Sequence, residues 1–209
     1  MPTLLDHILL GTNNLQLGIE FVAQRTGVHA AFGGVHPGHG TQNALLSLGD
    51  RRYLEIIAPD PAQPDVNNPL APELRSMNAP RLVGWAAHPG NLQAFAEKLR
   101  AAHIAFQGPT PGSRKRPDGR HLQWQTLGLE DDASGLLPFF IEWGSDSPHP
   151  SADAPMGCAL VHFAAETPDP SALAAKLKLL NLDLPVENGQ DSRLRARISG
   201  PQGNLDITS

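Results

Sequence analysis

Cysteine is almost missing from this chain of 209 residues, whose single example is Cys158. One cysteine cannot form a disulfide within the chain, so packing must hold the fold, and we expect a cytoplasmic protein. Aromatic residues are also sparse, at 5% of the sequence. Four of them, Trp85, Trp124, Trp143 and Phe140, are candidates for lining a ligand pocket.

A basic surface and a long apolar run are both lacking. The net charge is −5 and the isoelectric point is about 5.9, which gives no electrostatic footprint for nucleic acid. No segment approaches the roughly 20 apolar residues of a membrane helix, and "MPTLLDHILL" lacks the basic start of a signal peptide. We therefore expect a small-molecule partner, with no nucleic acid and no membrane. A homodimer is compatible with the sequence.

The chain does contain three segments with the same order of features, starting at Leu4, Arg81 and Ala159. Each has a short apolar run, a turn, a helical pattern and then further strand-like runs. In the second segment Leu92, Phe95 and Leu99 follow the spacing of one helix face. This order of features predicts a βαβββ unit in each segment. The three consecutive strands require hairpins, which favours antiparallel pairing.

These segments predict an α+β fold of tandem βαβββ modules. Residues 1–61 and 78–146 are expected to form two modules that share one cupped, mostly antiparallel sheet. Residues 157–209 are expected to form a third, βαβββ-like module. About fifty residues bury too little surface to be stable alone, so this module should pack on the others or on a second copy of the chain.

When the segments are aligned, polar residues recur at equivalent places near the start of the first strand and on the last strand. Glu55 lies between apolar neighbours, where an unpaired carboxylate would be costly to bury. It therefore faces a metal ion, a substrate or an ion-pair partner. The aligned positions are His7, Gly84 and His162 on the first strands, and Glu55, Glu142 and Asp206 on the last strands.

Several motifs resemble the vicinal oxygen chelate superfamily, and more closely its glyoxalase-like domain proteins. They are "LDHILL", "HPGHGTQNALLSLGD", "YLEIIAPDP", "SRKRPDG" and "LLPFFIEWG". The superfamily includes glyoxalase I, extradiol dioxygenases and bleomycin-resistance proteins. The resemblance covers nearly the whole chain and implies two modules around one divalent ion.

The resemblance implies that metal ligands come from the first and last strands of each module. Here they would be His7, Glu55 and Glu142, with Mn, Fe, Co, Ni or Zn as the ion. The fourth position is Gly84, which has no side chain to offer. The sequence is therefore also compatible with a metal-free relative. Glu55 or Glu142 would also serve as the catalytic base, as the resemblance to glyoxalase I implies.

Further residues are candidates for substrate binding. "GGVHPGHGTQN" is interpreted as a loop over the pocket, with His36 and Asn43 as contacts and His39 as a weaker one. The turn in "GSRKRPDGRH" would aim Arg114 or Arg116 at a carboxylate or phosphate. Trp85 and Trp124 would line the cavity.

Two functions remain open at this level. The first is a glyoxalase-like enzyme acting on a small carbonyl, enol or acidic substrate, with isomerase, lyase, hydrolase and dioxygenase chemistry all compatible. The second is a metal-free protein that binds or sequesters a small molecule, as the bleomycin-resistance relatives would suggest. The empty position at Gly84 favours the second function, and the three polar residues favour the first.

Overall fold

A computed structural model describes residues 3–64, 66, 70–115, 119–130 and 135–209. None of the helices in these ranges is both long and apolar enough to cross a membrane.

The first module has one helix and four strands. Asn14 begins the helix by accepting a hydrogen bond from the Leu17 backbone N–H, and Gly27 ends it in the left-handed conformation with φ of 80°. The elements are β1 (Leu4–Gly11), α1 (Leu15–Thr26), β2 (Ala31–His36), β3 (Thr41–Gly49) and β4 (Arg52–Pro59).

The second module repeats this order after a short connecting helix, α2 (Leu70–Ser76). Its helix is capped by Asn91, which accepts a hydrogen bond from the Ala94 backbone N–H. The elements are β5 (Arg81–His88), α3 (Leu92–Ala101), β6 (Phe106–Lys115), β7 (His121–Leu129) and β8 (Phe139–Trp143).

The strands of both modules form one curled sheet of eight strands in the order β2-β3-β4-β1-β5-β8-β7-β6. The two first strands, β1 and β5, are antiparallel neighbours at its centre. In each module the last strand pairs in parallel with the first, and the other neighbours are antiparallel. The predicted α+β class and mostly antiparallel cupped sheet are confirmed, and side chains from β1, β4, β5 and β8 meet at its middle.

The edge strands β2 and β6 approach each other, and glycines make this approach close. A Cβ atom at Gly33 would overlap the side chains of Arg114 and Asn43. A Cβ atom at Gly34 would lie 3.1 Å from the backbone oxygen of Lys115, and Gly34 also has a positive φ of 143°. The small residues therefore let the two ends of the sheet curl toward one another.

The third segment has the predicted order of elements but pairs its strands differently. Its elements are β9 (Ala159–Thr167), α4 (Pro170–Leu179), β10 (Val186–Asn188), β11 (Arg193–Gly200) and β12 (Gly203–Thr208). They form a separate sheet in the order β10-β9-β11-β12. Here the strand that follows the helix pairs in parallel with the first strand, whereas in the first two modules the last strand does so. The segment is therefore not a third copy of the same topology.

The second sheet packs its apolar face onto the large sheet in one continuous core. Phe163 of β9 makes an edge-to-face contact with Trp85 of β5, with ring centroids 5.5 Å apart. Within the segment, Leu173 and Leu177 lie on the buried side of α4 and pack into the same core. His162 and Asp206 lie outside it, where His162 is 3.6 Å from Glu187 and Asp206 pairs with Arg197.

The Phe163–Trp85 contact gives the first testable prediction. Replacement of the buried Phe163 by alanine should lower the free energy of unfolding by about 3 kcal/mol, because it opens a cavity between the two sheets. Val161→Ala on the same strand is the matched control: Val161 is 55% exposed, so the change should stay within about 0.5 kcal/mol. Urea denaturation measures both, and equal effects would contradict the described packing.

Candidate active site

A cavity of about 270 Å³ opens on the concave face of the large sheet. Strand alternation explains its lining, since residues two apart on a strand share a face. Tyr53, Glu55 and Ile57 of β4 therefore face it together, while Leu54 and Ile56 enter the core. Eight residues predicted from the sequence line the cavity: His7, His36, His39, Asn43, Glu55, Arg114, Trp124 and Trp143.

His7 and Glu55 form the centre of the cavity wall. His7 Nε2 lies 3.4 Å from Glu55 Oε2, and the two side chains are almost completely buried. The other ring nitrogen, Nδ1, lies 2.7 Å from Oδ1 of Asp6. The imidazole therefore sits between two carboxylates, and Tyr53 stacks on its face with ring centroids 4.4 Å apart.

Asn43 connects Glu55 to two cationic or basic groups. Its amide nitrogen donates to Glu55 Oε1 at 2.7 Å and lies 3.2 Å from His36 Nε2. Its amide oxygen accepts from Arg114 Nη1 at 2.6 Å. Asn43 lines the cavity, and its amide forms a bridge that holds Glu55, His36 and Arg114 together.

These neighbours decide the charge of the buried groups. Burial alone would raise the pKa of Glu55, but the charges of His7 and His36, the Asn43 hydrogen bond and Arg114 together lower it, so the carboxylate is ionised at neutral pH. Burial lowers the pKa of His36, against the opposing charge of Glu55. His36 Nδ1 lies 2.8 Å from the hydroxyl of Thr41, and its Nε2 faces the amide nitrogen of Asn43.

Asp6 is ionised for similar reasons. Burial would raise the pKa of its carboxyl, but hydrogen bonds from His149 and His7, and the charges of both rings, hold the pKa well below its usual range. His149 Nε2 and Trp143 Nε1 each lie 3.1 Å from Asp6 Oδ2.

Aromatic rings complete the walls. Trp124 and Trp143 contact each other with centroids 5.5 Å apart, and Trp124 meets His36 edge to face. Phe139 lies edge to face against His7 on the opposite side. The cavity thus combines an apolar rim with a buried acid–base pair.

Glu142 lies away from the cavity, so the strand register that the sequence predicts for β8 is wrong. Its neighbours Ile141 and Trp143 face the cavity, so the alternation of β8 turns Glu142 to the opposite face. There its Oε2 accepts a hydrogen bond of 2.6 Å from the Leu92 backbone N–H at the start of α3. Glu142 therefore satisfies a helix N-terminus and does not converge with His7 and Glu55.

Trp85 also lies on the other face. It is buried in the core, where its Nε1 donates to the Leu136 carbonyl at 2.9 Å. Its neighbours on either side, Gly84 and Ala86, pair with Leu9 and His7 of β1, which line the cavity. A Cβ atom at Gly84 would meet nothing within 4 Å, so the predicted empty ligand position is indeed open space.

His36 and Arg114 reach the cavity from strands, which corrects their assignment to a loop and a turn. His36 ends β2, and Arg114 lies near the end of β6 with 3% of its surface exposed. The edge-to-edge approach of these strands brings both beside Asn43. Arg116, the other arginine proposed from the sequence, lies outside the described residues.

The donor set predicted for a divalent metal does not fit this geometry. His7 Nε2 and Glu55 Oε2 converge, but Glu142 is on the far face and Gly84 offers no donor. Across the described parts of the chain, no three His, Cys, Asp or Glu side chains are grouped so that they could hold an ion.

Sequence reasoning missed Asp6, Tyr53 and His149. Asp6 precedes His7, and regular alternation would have placed it on the opposite face. His149 lies in "GSDSPHPSADAPMG", a proline-rich stretch between the second and third predicted modules whose composition is typical of a linker. That stretch folds against β3, where the Ser47 backbone N–H donates to the Pro155 carbonyl, and it inserts His149 beside Asp6.

Comparison with known proteins agrees with this architecture. The sequence model of the glyoxalase-like domain matches residues 5–181. The chain belongs to the glyoxalase-like domain family. No curated protein sequence matches it significantly.

Solved structures show where this fold recurs. A hypothetical protein from Staphylococcus aureus superposes with a TM-score of 0.65 at 17% identity, covering 99% of this chain and 85% of that one. A Streptomyces coelicolor methylmalonyl-CoA epimerase variant with 2-nitronate-propionyl-CoA gives a TM-score of 0.51 at 18% identity, covering 71% and 99%. A methylmalonyl-CoA epimerase with methylmalonyl-CoA and NH4+ gives 0.50 at 19% identity, covering 71% and 100%. At these identities the likeness concerns the fold.

The position of Glu142 predicts a stability effect. Glu142→Ala should lower the free energy of unfolding by about 1 kcal/mol, because the first backbone N–H of α3 loses a charged acceptor. The binding of ligands in the cavity should not change, as isothermal titration would show. A large loss of ligand affinity with unchanged stability would contradict the assignment.

The buried carboxylates predict a pH effect. The pKa values of Asp6 and Glu55 are lower in the folded protein than their usual values, so the unfolded chain takes up protons first as the pH falls. Their stabilising contribution is complete above those usual values and is lost progressively as the pH falls through the folded values.

Glu55→Gln should therefore flatten the decline of unfolding free energy between about pH 5 and about pH 3. Glu130→Gln, a change at an exposed carboxylate, is the control and should keep the wild-type slope. Urea titrations at several pH values measure both. Identical slopes for wild type and Glu55→Gln would contradict the prediction.

Proposed function

We propose that this protein is an enzyme that binds a small anionic carbonyl compound in the cup and moves a proton at the carbon next to the carbonyl. The observation that carries the proposal is the buried pair of His7 and Glu55, whose facing atoms lie 3.4 Å apart in the cavity wall. An ionised carboxylate beside an imidazole is a suitable base and proton partner for such a transfer.

The chemistry follows from the charges around the pair. Glu55 would remove the proton from the carbon, and the electrons of the broken C–H bond would move onto the carbonyl oxygen as an enolate. The lowered pKa of Glu55 makes it a weak base, so the enolate must be stabilised for the step to proceed. Arg114 lines the same cavity and supplies positive charge for this purpose.

Return of the proton would complete an isomerisation or epimerisation. Glu55 would give it back on the same side, or would pass it to His7 Nε2, 3.4 Å away, and the imidazolium would then deliver it to the carbon while Asp6 supports the transient charge on the ring. The cavity volume of about 270 Å³ limits the reacting part to a small molecule. Arginine also favours a carboxylate or phosphate on the substrate, since its planar donors match such groups.

The fold supports this class of reaction without fixing the substrate. Structures that share it include a methylmalonyl-CoA epimerase in complex with methylmalonyl-CoA and NH4+, which supports a carbonyl compound as the ligand here. For this chain the CoA thioester itself is not part of the proposal, which rests on the acid–base pair.

A second function is favoured by the aromatic walls. Tyr53, Phe139, Trp124 and Trp143 surround the cavity and would suit a planar ligand that is bound and not converted. Such a protein would sequester its ligand, and the pair of His7 and Glu55 would only orient a polar group. The two functions differ in whether protons exchange with solvent.

Proton exchange gives the test. The protein is incubated in D₂O with a panel of small 2-oxo and 3-oxo acids, and deuterium uptake next to the carbonyl is followed by NMR. Wild type should accelerate exchange for at least one compound, and Glu55→Gln should lose about 100-fold or more of the rate. Glu142→Gln should keep the wild-type rate, because that carboxylate lies on the other face.

Two results would reject the enzyme. Tight binding of a panel member without exchange would support sequestration instead. Exchange that appears only after addition of Co²⁺, Mn²⁺ or Zn²⁺ would show that a metal ion, and not the isolated acid–base pair, activates the substrate.

A further inference from the structure

An irregularity in β1 brings Asp6 to the same side as His7. Adjacent residues of a regular strand point to opposite faces. The pairing of β1 with β5 shifts register between Leu5 and His7, and this irregularity lets both side chains meet. Asp6 is 3% exposed and His7 is 2% exposed, so the contact lies in the interior.

Two donors engage one oxygen of Asp6. Trp143 Nε1 carries a hydrogen and can only donate, and it lies 3.1 Å from Oδ2. His149 Nε2 lies at the same distance from Oδ2. The other nitrogen of His149 accepts from the Ser151 backbone N–H, so the hydrogen of a neutral His149 is on Nε2 and points at Asp6.

The second oxygen of Asp6 is then left for His7. A carboxylate can only accept, so His7 Nδ1, at 2.7 Å from Oδ1, must carry a hydrogen. The Nε2 atom of the same ring is thereby directed at Glu55. The arrangement fixes both the orientation of the ring and the nitrogen on which its proton resides.

We propose that Asp6 is a positioning residue, which keeps a proton on His7 Nδ1 and aims Nε2 at Glu55, and that His149 and Trp143 select the oxygen of Asp6 that does so. This inference rests on the proposed function for its catalytic consequence. Its structural half, the protonated nitrogen of His7, stands without any substrate.

Asp6→Asn should reverse the arrangement. An asparagine has one acceptor oxygen, and the two donors, Trp143 and His149, would hold that oxygen on their side. Its amide hydrogens would then face His7 Nδ1, which must become an acceptor. The proton of a neutral His7 would move to Nε2, toward Glu55.

The experiment is NMR of ¹⁵N-histidine-labelled protein at neutral pH, with the His7 signals assigned by comparison with His7→Gln. Wild type should show a protonated Nδ1, and Asp6→Asn should show an unprotonated Nδ1 with a proton on Nε2. Asp206→Asn makes the same chemical change at an exposed carboxylate of β12 and should leave the His7 signals unchanged. The wild-type spectrum alone tests the first half and needs no variant.

Solvent exchange measures the catalytic half. Asp6→Asn should lower kcat about 100-fold with little change in KM, because the substrate contacts remain while the proton partner is wrongly protonated. A wild-type His7 protonated only on Nε2 would overturn the proposal, as would an Asp6→Asn spectrum identical to wild type. Absence of exchange in wild type would overturn the proposed enzyme alone, since the NMR result does not depend on turnover.

Discussion

The imidazole of His7 lies between the carboxylates of Asp6 and Glu55 in a region that water scarcely reaches. Two buried negative charges cannot remain ionised there unless donors and positive charges compensate them. His149 and Trp143 supply donors to Asp6, while Asn43 donates to Glu55. Most features of the surrounding fold serve to bring these partners into place.

The partners come from distant parts of the chain. Asn43 belongs to the first module and Arg114 to the second, and they meet only because the edges of the sheet curl together. Gly33 and Gly34 make this approach close enough, since any side chain there would overlap Arg114. The curl therefore couples the two modules through charge as well as through packing. Loss of the contact between Asn43 and Arg114 would weaken the interactions that stabilise the Glu55 carboxylate.

The stretch between the second and third segments has a similar role. Its proline-rich composition is typical of a linker, but it carries His149 into the interior beside Asp6. The sheet of the third segment meanwhile covers the opposite face of β5 and buries Trp85 against Phe163. One face of the central strands thus contributes to the site and the other to the core, which is the consequence of strand alternation.

The α+β class, the order of strands and helices within the modules, and the candidate pair of His7 and Glu55 could all be predicted from the sequence. These depend on local patterns: helix caps at Asn14 and Asn91, apolar spacing, and a carboxylate among apolar residues that had to find a partner. The face that each side chain takes depends on contacts between distant segments, which the sequence does not show. Glu142 differs from its cavity-facing neighbours by one position, and a shift of one residue reverses the face of a strand. Asp6 and His149 join the site through a strand irregularity and a folded linker, and neither has a local signal because both arise from contacts between distant segments.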